Sequence, residues 1–122
     1  MKVILVVDDE FDILTTWQMV LQIEGYTVLT APNGKVGLEI ARSTPLDLII
    51  TDWMMPVMDG LELCRHLAQD PALATIPLIV ASAAWRQPDV PHPHAVCIRK
   101  PISMDSLIEL VQRMIESRGT AS

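Results

Sequence analysis

Five short apolar runs, at residues 3–7, 26–30, 46–51, 76–81 and 95–98, alternate with stretches of helical spacing, and this alternation leaves the chain few folds. Runs that are apolar at consecutive positions suit strands buried on both faces, as in a parallel sheet. Between them, Phe11, Leu14, Trp17 and Leu21 fall on one helical face that ends at Gly25, where a left-handed residue stops a helix. Val36, Ile40 and Ala41 follow the turn Pro32-Asn33-Gly34 and stop at Thr44-Pro45. Leu61, Cys64, Leu67 and Ala68 follow Asp59, a candidate N-cap, and stop at Asp70-Pro71; Met104, Leu107, Ile108, Val111 and Met114 follow a second candidate cap, Ser103. Strands alternating with helices predict an α/β fold, a doubly wound parallel sheet with helices on both faces. One segment breaks the rhythm. Between Ser82 and Lys100 a fourth helix is due, yet Pro88, Pro91 and Pro93 fall within six residues there. Proline removes a backbone donor and disfavours helix before it, and an average helix takes about 11 residues. The fourth helix is therefore expected to be shortened or replaced by a loop.

The 122 residues suit one domain, expected over residues 1–118, with 119–122 as a flexible C-terminal tail. There are no repeats, low-complexity tracts or interdomain linkers. The net charge is −6 and the nine basic residues are scattered, which argues against direct nucleic-acid binding, since that needs a clustered basic face. No apolar run approaches the ~18 residues of a membrane span, and Met1-Lys2 leads straight into a strand rather than a signal peptide. No membrane insertion is expected. Cys64 and Cys97 lie in a helical and a strand pattern and are not closely spaced. They read as core filler in a reduced, cytoplasmic compartment.

The strand ends carry the chemistry. Asp8 and Asp9 follow the first run, Asp52 the third, Ser82 the fourth and Lys100 the fifth. In a doubly wound sheet these ends lie on one edge, where open α/β sheets place their ligands. Singly, each has an ordinary structural role: Asp52 as a loop cap, Asp8-Asp9 as a solvated helix start, Ser82 as a cap, Lys100 as a surface charge. Together they are hard to attribute to chance. Carboxylates within ~4 Å repel by about 4 kcal/mol per pair at an effective dielectric of 20, so such a cluster takes up protons or holds a cation. Hard oxygens with no paired His or Cys nearby favour Mg²⁺, with Mn²⁺ as the alternative. A lysine and a hydroxyl facing that cation are what an incoming phosphoryl group needs, which makes Asp52 a candidate nucleophile forming an acyl phosphate. Elsewhere, Trp17 reads as core and Trp53 as lying near the pocket mouth. His92 and His94 read as a solvated loop rather than a metal clip. Trp85 either covers the pocket, offers a partner an anchor or fills the space of the absent helix, the last being favoured.

At this point the residues match a family. Val6-Val7-Asp8-Asp9-Glu10, Asp52 with Met55-Pro56 and Met58-Asp59-Gly60, Ser82-Ala83 and Lys100-Pro101 stand in an order and spacing that resembles the receiver domain of bacterial two-component response regulators (CheY-like) over essentially the whole chain. The resemblance implies a flavodoxin-like (βα)5 fold with strand order 2-1-3-4-5. It implies that Asp52 takes a phosphoryl group from a sensor histidine kinase or a histidine phosphotransfer protein. Asp9, Asp52, the backbone carbonyl of Met54 and, through water, Asp8 would hold Mg²⁺. Ser82 and Lys100 would bind the phosphoryl oxygens, and the Lys100–Pro101 bond would be cis. Relatives signal to a downstream protein through the fourth helix, fifth strand and fifth helix, with an aromatic residue three before the lysine. Here that position is Cys97. The partner face, with Trp85, Cys97 and Pro101 in the 82–101 segment, is thus expected to work differently, through an order–disorder change of loop 83–94.

The leading reading is a phosphoacceptor switch that catalyses only its own phosphorylation and dephosphorylation, either stand-alone or cut from a longer protein. A degenerate receiver acting as a phosphorylation-independent interaction module is the alternative. An aspartyl-phosphate phosphohydrolase ranks third, because Met54 stands where a second acid is wanted and the chain has no room for a substrate cap. A flavodoxin-like cofactor carrier ranks last, because no Gly/Ser/Thr-rich phosphate loop follows the first strand.

Overall fold

In a computed structural model of the chain, which describes residues 1–84, 89–90 and 92–120, each apolar run becomes a strand. These are β1 (Val3–Val7), β2 (Thr27–Ala31), β3 (Leu48–Asp52), β4 (Leu78–Ser82) and β5 (Ala95–Arg99). They form one sheet in the order β2-β1-β3-β4-β5, every pair parallel. The expected order 2-1-3-4-5 is the one found. The starts of β2, β3 and β4 shift by one or two residues: β4 begins at Leu78, not residue 76, because Pro77 has no N–H to give the ladder and Ile76 N–H closes a turn on the Leu73 carbonyl.

The helices are α1 (Phe11–Ile23), α2 (Gly34–Ser43), α3 (Gly60–Gln69) and α4 (Met104–Thr120). Alternate residues of the strands face opposite ways, and each face acquires its own core. Leu5, Val7, Ile49 and Val80 pack with Leu38 and Ala41 of α2 and Leu63, Cys64 and Leu67 of α3. Ile4, Val6, Ile50, Ile79 and Ile98 pack with Leu14, Trp17 and Leu21 of α1 and Leu107, Val111 and Ile115 of α4. The fold is therefore doubly wound, as the alternation predicts. Phe11 is a correction to that pattern: it is 77 % exposed. As the first residue of α1 it lies past the end of β1, beyond the sheet edge that Leu14, Trp17 and Leu21 cover.

The helix ends form where the sequence places them. The Asn33 side chain accepts from Val36 N–H and that of Asp59 from Glu62 N–H, both at 2.9 Å, and Ser103 Oγ accepts from Ser106 N–H at 3.1 Å. Gly25, at φ +97°, ends α1. The backbone of α4 is helical to Thr120, past the start of the expected tail, and residues 121–122 lie outside the described ones.

Among the described residues no helix joins β4 to β5, as the prolines require. Trp85 and its expected gap-filling role lie outside the described residues. His92 departs from the solvated loop expected of it. A tight turn, with His92 N–H on the Val90 carbonyl at 2.8 Å, carries the ring inward to 8 % exposure. Its Nδ1 accepts from His94 N–H at 3.1 Å, while Nε2 is buried with no hydrogen-bond partner among the described residues. Burial, and then the nearby His94, hold the His92 imidazole below its usual 6.5. The unfolded chain thus takes up a proton first as pH falls, so stability is lost as pH drops from about 6.5 toward the depressed folded value. The wild-type melting temperature should fall over that range more steeply than that of His92→Gln. Parallel curves for the two proteins would show that the ring carries no such linkage.

Candidate functional site

Parallel register brings the chemistry-bearing strand ends to one edge. Val7 pairs with Thr51, Asp52 with Ala81 and Ser82 with Arg99, so Asp8, Asp52, Ser82 and Lys100 follow one another across four adjacent strands. Asp8 is 1 % exposed. Its N–H donates to the Ala31 carbonyl of β2 at 3.1 Å, and its Oδ1 accepts from Glu10 N–H at 2.9 Å. Asp9 is exposed and Asp52 partly buried. One carboxylate oxygen from each of the three lies within 4.8 Å of the others.

Lys100 closes the cluster. Its backbone N–H donates to the Ser82 carbonyl at 2.9 Å, and its peptide bond to Pro101 is cis. Nζ then lies 3.0 Å from Asp52 Oδ1 and 3.1 Å from Asp8 Oδ2, with 16 % of the side chain exposed. Nζ also lies over the Trp17 ring, 5.9 Å from its centroid. Ser82 is buried beside it, and its Oγ accepts from Ala84 N–H at 3.0 Å. A hydroxyl that accepts there keeps its own O–H to donate elsewhere.

Burial, reinforced by the Asp8 and Asp9 charges, raises the Asp52 carboxyl above its usual 3.8, although Lys100 pulls the other way. Burial alone would lower the Lys100 ammonium, but hydrogen bonds to Asp52 and Asp8 and their charges outweigh it and raise the group above 10.5. The lysine is therefore a fixed cation at neutral pH, and Asp52 a carboxylate in an uneasy cluster that a cation relieves. The donors are all hard carboxylate oxygens, with no sulfur or imidazole among them, the chemistry that Mg²⁺ or Mn²⁺ takes.

The loop after Asp52 is bound tightly. Trp53 N–H donates to the Ala81 carbonyl, Gly60 N–H to the Trp53 carbonyl and Gly34 N–H to the Met58 carbonyl, at 3.0, 2.7 and 3.1 Å. Trp53 packs partly against the α2–α3 core. The Met54 and Val57 side chains point to solvent, and Val57 sits at φ +74°, a conformation rarely adopted by a β-branched residue. Cys97 lies partly buried on β5 against that same core. Burial, then Asp89, raises its thiol, and burial pushes Cys64 up to about 12. Neither is a thiolate nucleophile at neutral pH. Sequence reasoning placed Trp17 in the core, which is correct, but missed its contact with Lys100. Helical spacing reports the buried side of a helix, not which turn lies beside the site.

Residues 4–112 match the family described as the response regulator receiver domain. The chain belongs to that family. Over 80 residues it is 42 % identical to the alkaline phosphatase synthesis transcriptional regulatory protein PhoP of Bacillus subtilis (strain 168), covering 66 % of this chain and 33 % of that protein. It is 31 % identical over 122 residues to the phosphate regulon transcriptional regulatory protein PhoB of Pseudomonas aeruginosa, covering 97 % and 53 %. This receiver domain therefore spans between a third and about half of these curated relatives. The solved response regulator protein TrrA of Thermotoga maritima, in complex with Mg²⁺–BeF, superposes with a TM-score of 0.82 at 34 % identity, covering 93 % of the receiver domain and 99 % of TrrA. Among the described residues no helix is long and apolar enough to cross a membrane.

Proposed function

We propose that this receiver domain is a phosphoacceptor switch of a two-component phosphorelay, taking a phosphoryl group on Asp52 from the phosphohistidine of a sensor histidine kinase or a histidine phosphotransfer protein. The observation that carries this reading is the Lys100 ammonium bridging Asp8 and Asp52, with a third carboxylate in reach. An Asp52 carboxylate oxygen forms the new O–P bond as the imidazole P–N bond breaks, and the imidazole leaves with the electron pair. Asp9, Asp52, the Met54 carbonyl and, through water, Asp8 would hold Mg²⁺, which when bound would offset the charge on the phosphoryl oxygens. Lys100 exchanges a carboxylate for a phosphoryl oxygen, and Ser82 donates its O–H to another. Water later hydrolyses the acyl phosphate, so the domain catalyses its own phosphorylation and dephosphorylation and acts on no other substrate. The intact set Asp8, Asp9, Asp52, Ser82 and Lys100 argues against a degenerate, phosphorylation-independent module. The protein works in the cytoplasm.

Output to a downstream protein passes through the 82–101 face, including Trp85, Cys97 and Pro101. Cys97 has no ring to swing; the expected reporter, an order–disorder change of loop 83–94, falls partly on residues 85–88 and 91, which lie outside the described ones. Hydrogen exchange of that loop with and without beryllium fluoride tests this; equal protection in both states would sink it.

Intact mass after incubation with acetyl phosphate tests the switch itself. One phosphoryl group should appear on wild type with Mg²⁺, none with excess EDTA and none on Asp52→Asn. No adduct on wild type, with beryllium fluoride also failing to bind, would overturn the reading. Mg²⁺ at a hundredfold over its dissociation constant should stabilise the fold by about 2.7 kcal/mol. Thermal melting reads this, and an undiminished shift in Asp9→Asn would rule the carboxylate cluster out as the site.

A further inference from the structure

We propose that Trp17 is a positioning residue for phosphoryl transfer, its indole face holding the Lys100 ammonium over Asp8 and Asp52; the inference rests on the phosphoacceptor reading above. A lysine is a flexible chain ending in a compact charge, held here by two carboxylates. Its side chain also lines a largely apolar cleft of about 370 Å³, together with Ile13, Trp17, Ala83, Pro101 and Ile102. Into that cleft the ammonium could swing away from the site. The Trp17 ring forms a wall of the cleft, its centroid 5.9 Å from Nζ. Tryptophan presents the most negative face of the aromatic side chains, and a cation within about 6 Å of it is attracted.

The ring can serve as a fixed wall because it is itself held. Trp17 is 7 % exposed and packs in the core between α1, α4 and the sheet. Lys100 is mostly buried as well, and removal from water strengthens the attraction between a cation and a ring face. The ammonium is thus placed before a phosphoryl group arrives, and charge stabilisation placed in advance needs no reorganisation during transfer.

The test compares wild type, Trp17→Phe and Trp17→Leu by the rate of phosphorylation from acetyl phosphate, a small-molecule donor that brings no partner protein. Mg²⁺ affinity is measured alongside by isothermal titration, and the melting temperature confirms that each variant is folded. Phenylalanine keeps a ring face and leucine removes it. Leucine should slow phosphorylation roughly three- to thirty-fold and phenylalanine less than about threefold, with Mg²⁺ affinity within about twofold of wild type in both. A merely structural role would displace Asp8 and Asp52 with the helix, so rate and Mg²⁺ affinity would fall together. That parallel loss, equal losses for the two variants, or a leucine rate within about twofold of wild type would each overturn the inference. Wild type that takes up no phosphoryl group would overturn the phosphoacceptor reading instead. Should Trp17→Leu not fold, the wild-type spectrum decides: an upfield ring-current shift on the Lys100 side-chain protons that changes in Trp17→Phe is expected, and its absence from wild type would overturn the inference.

Discussion

Alanine at Gly60 is expected to destabilise the domain by about 3 kcal/mol, the upper end of the range for forcing atoms into a filled space, and to impair phosphoacceptance with it. A Cβ at this position would collide with the Asp52 carbonyl oxygen and lie 3.0 Å from Trp53 Cα, both backbone atoms that no rotamer change can move. The close approach is needed because the Gly60 N–H bonds the Trp53 carbonyl at 2.7 Å while Asp59 caps the helix. Relief requires the loop to lift, and with it the backbone that carries the Asp52 carboxylate to Lys100. Urea denaturation reads the loss as a lower midpoint at unchanged slope. A midpoint equal to wild type would show that the loop yields freely and that this packing does not hold Asp52 in place.

Lys100→Met should act in opposite directions on the fold and on the metal. Without the ammonium, the buried Asp8 and the partly buried Asp52 face each other unpaired. Removing one partner of a buried pair costs 3–5 kcal/mol, and the remaining exposure of Lys100 puts this case near about 3. Yet the ammonium also competes with a divalent cation for the same oxygens, so Mg²⁺ should bind the variant more tightly than wild type. Phosphorylation should still fall, roughly ten- to a hundredfold, because a charge-assisted hydrogen bond to the phosphoryl group, worth about 1.5–3 kcal/mol, is lost. Isothermal titration and the rate with acetyl phosphate separate the two effects. Weaker Mg²⁺ binding in the variant would mean that Lys100 orders the carboxylates rather than competing for them.

Much of this was legible before any coordinates. Consecutive apolar residues in the strands marked a parallel sheet, and four of the five strands ended at a residue with a chemical reason to be there. Order and spacing carried Asp8, Asp9, Asp52, Ser82 and Lys100 to one edge because a parallel sheet aligns strand ends without regard to sequence distance. Pro88, Pro91 and Pro93 told against a helix before β5, since an imide nitrogen acts locally, and among the described residues none lies there. What remained hidden depends on where elements sit relative to one another. Spacing put Phe11 with the buried face of α1 but could not show that the helix begins beyond the sheet. His92 reads as polar and loop-bound, and only the tight turn after Val90 buries it. The Trp17–Lys100 contact joins residues on α1 and after β5 that no short-range pattern links. In the sequence Gly60 stands only as part of Met58-Asp59-Gly60, whereas its task is to let a helix start touch the backbone of the strand end.

The most direct measurement is reductive trapping. Protein phosphorylated from acetyl phosphate with Mg²⁺ is treated with borohydride, which reduces an acyl phosphate to an alcohol and so converts the modified aspartate to homoserine, and the position is read by peptide mass. Homoserine at position 52, dependent on Mg²⁺, is the predicted result. Trapping at Asp8 or Asp9, or a phosphoryl group that resists borohydride because it is esterified to Ser82, would contradict the assignment of Asp52 as the acceptor.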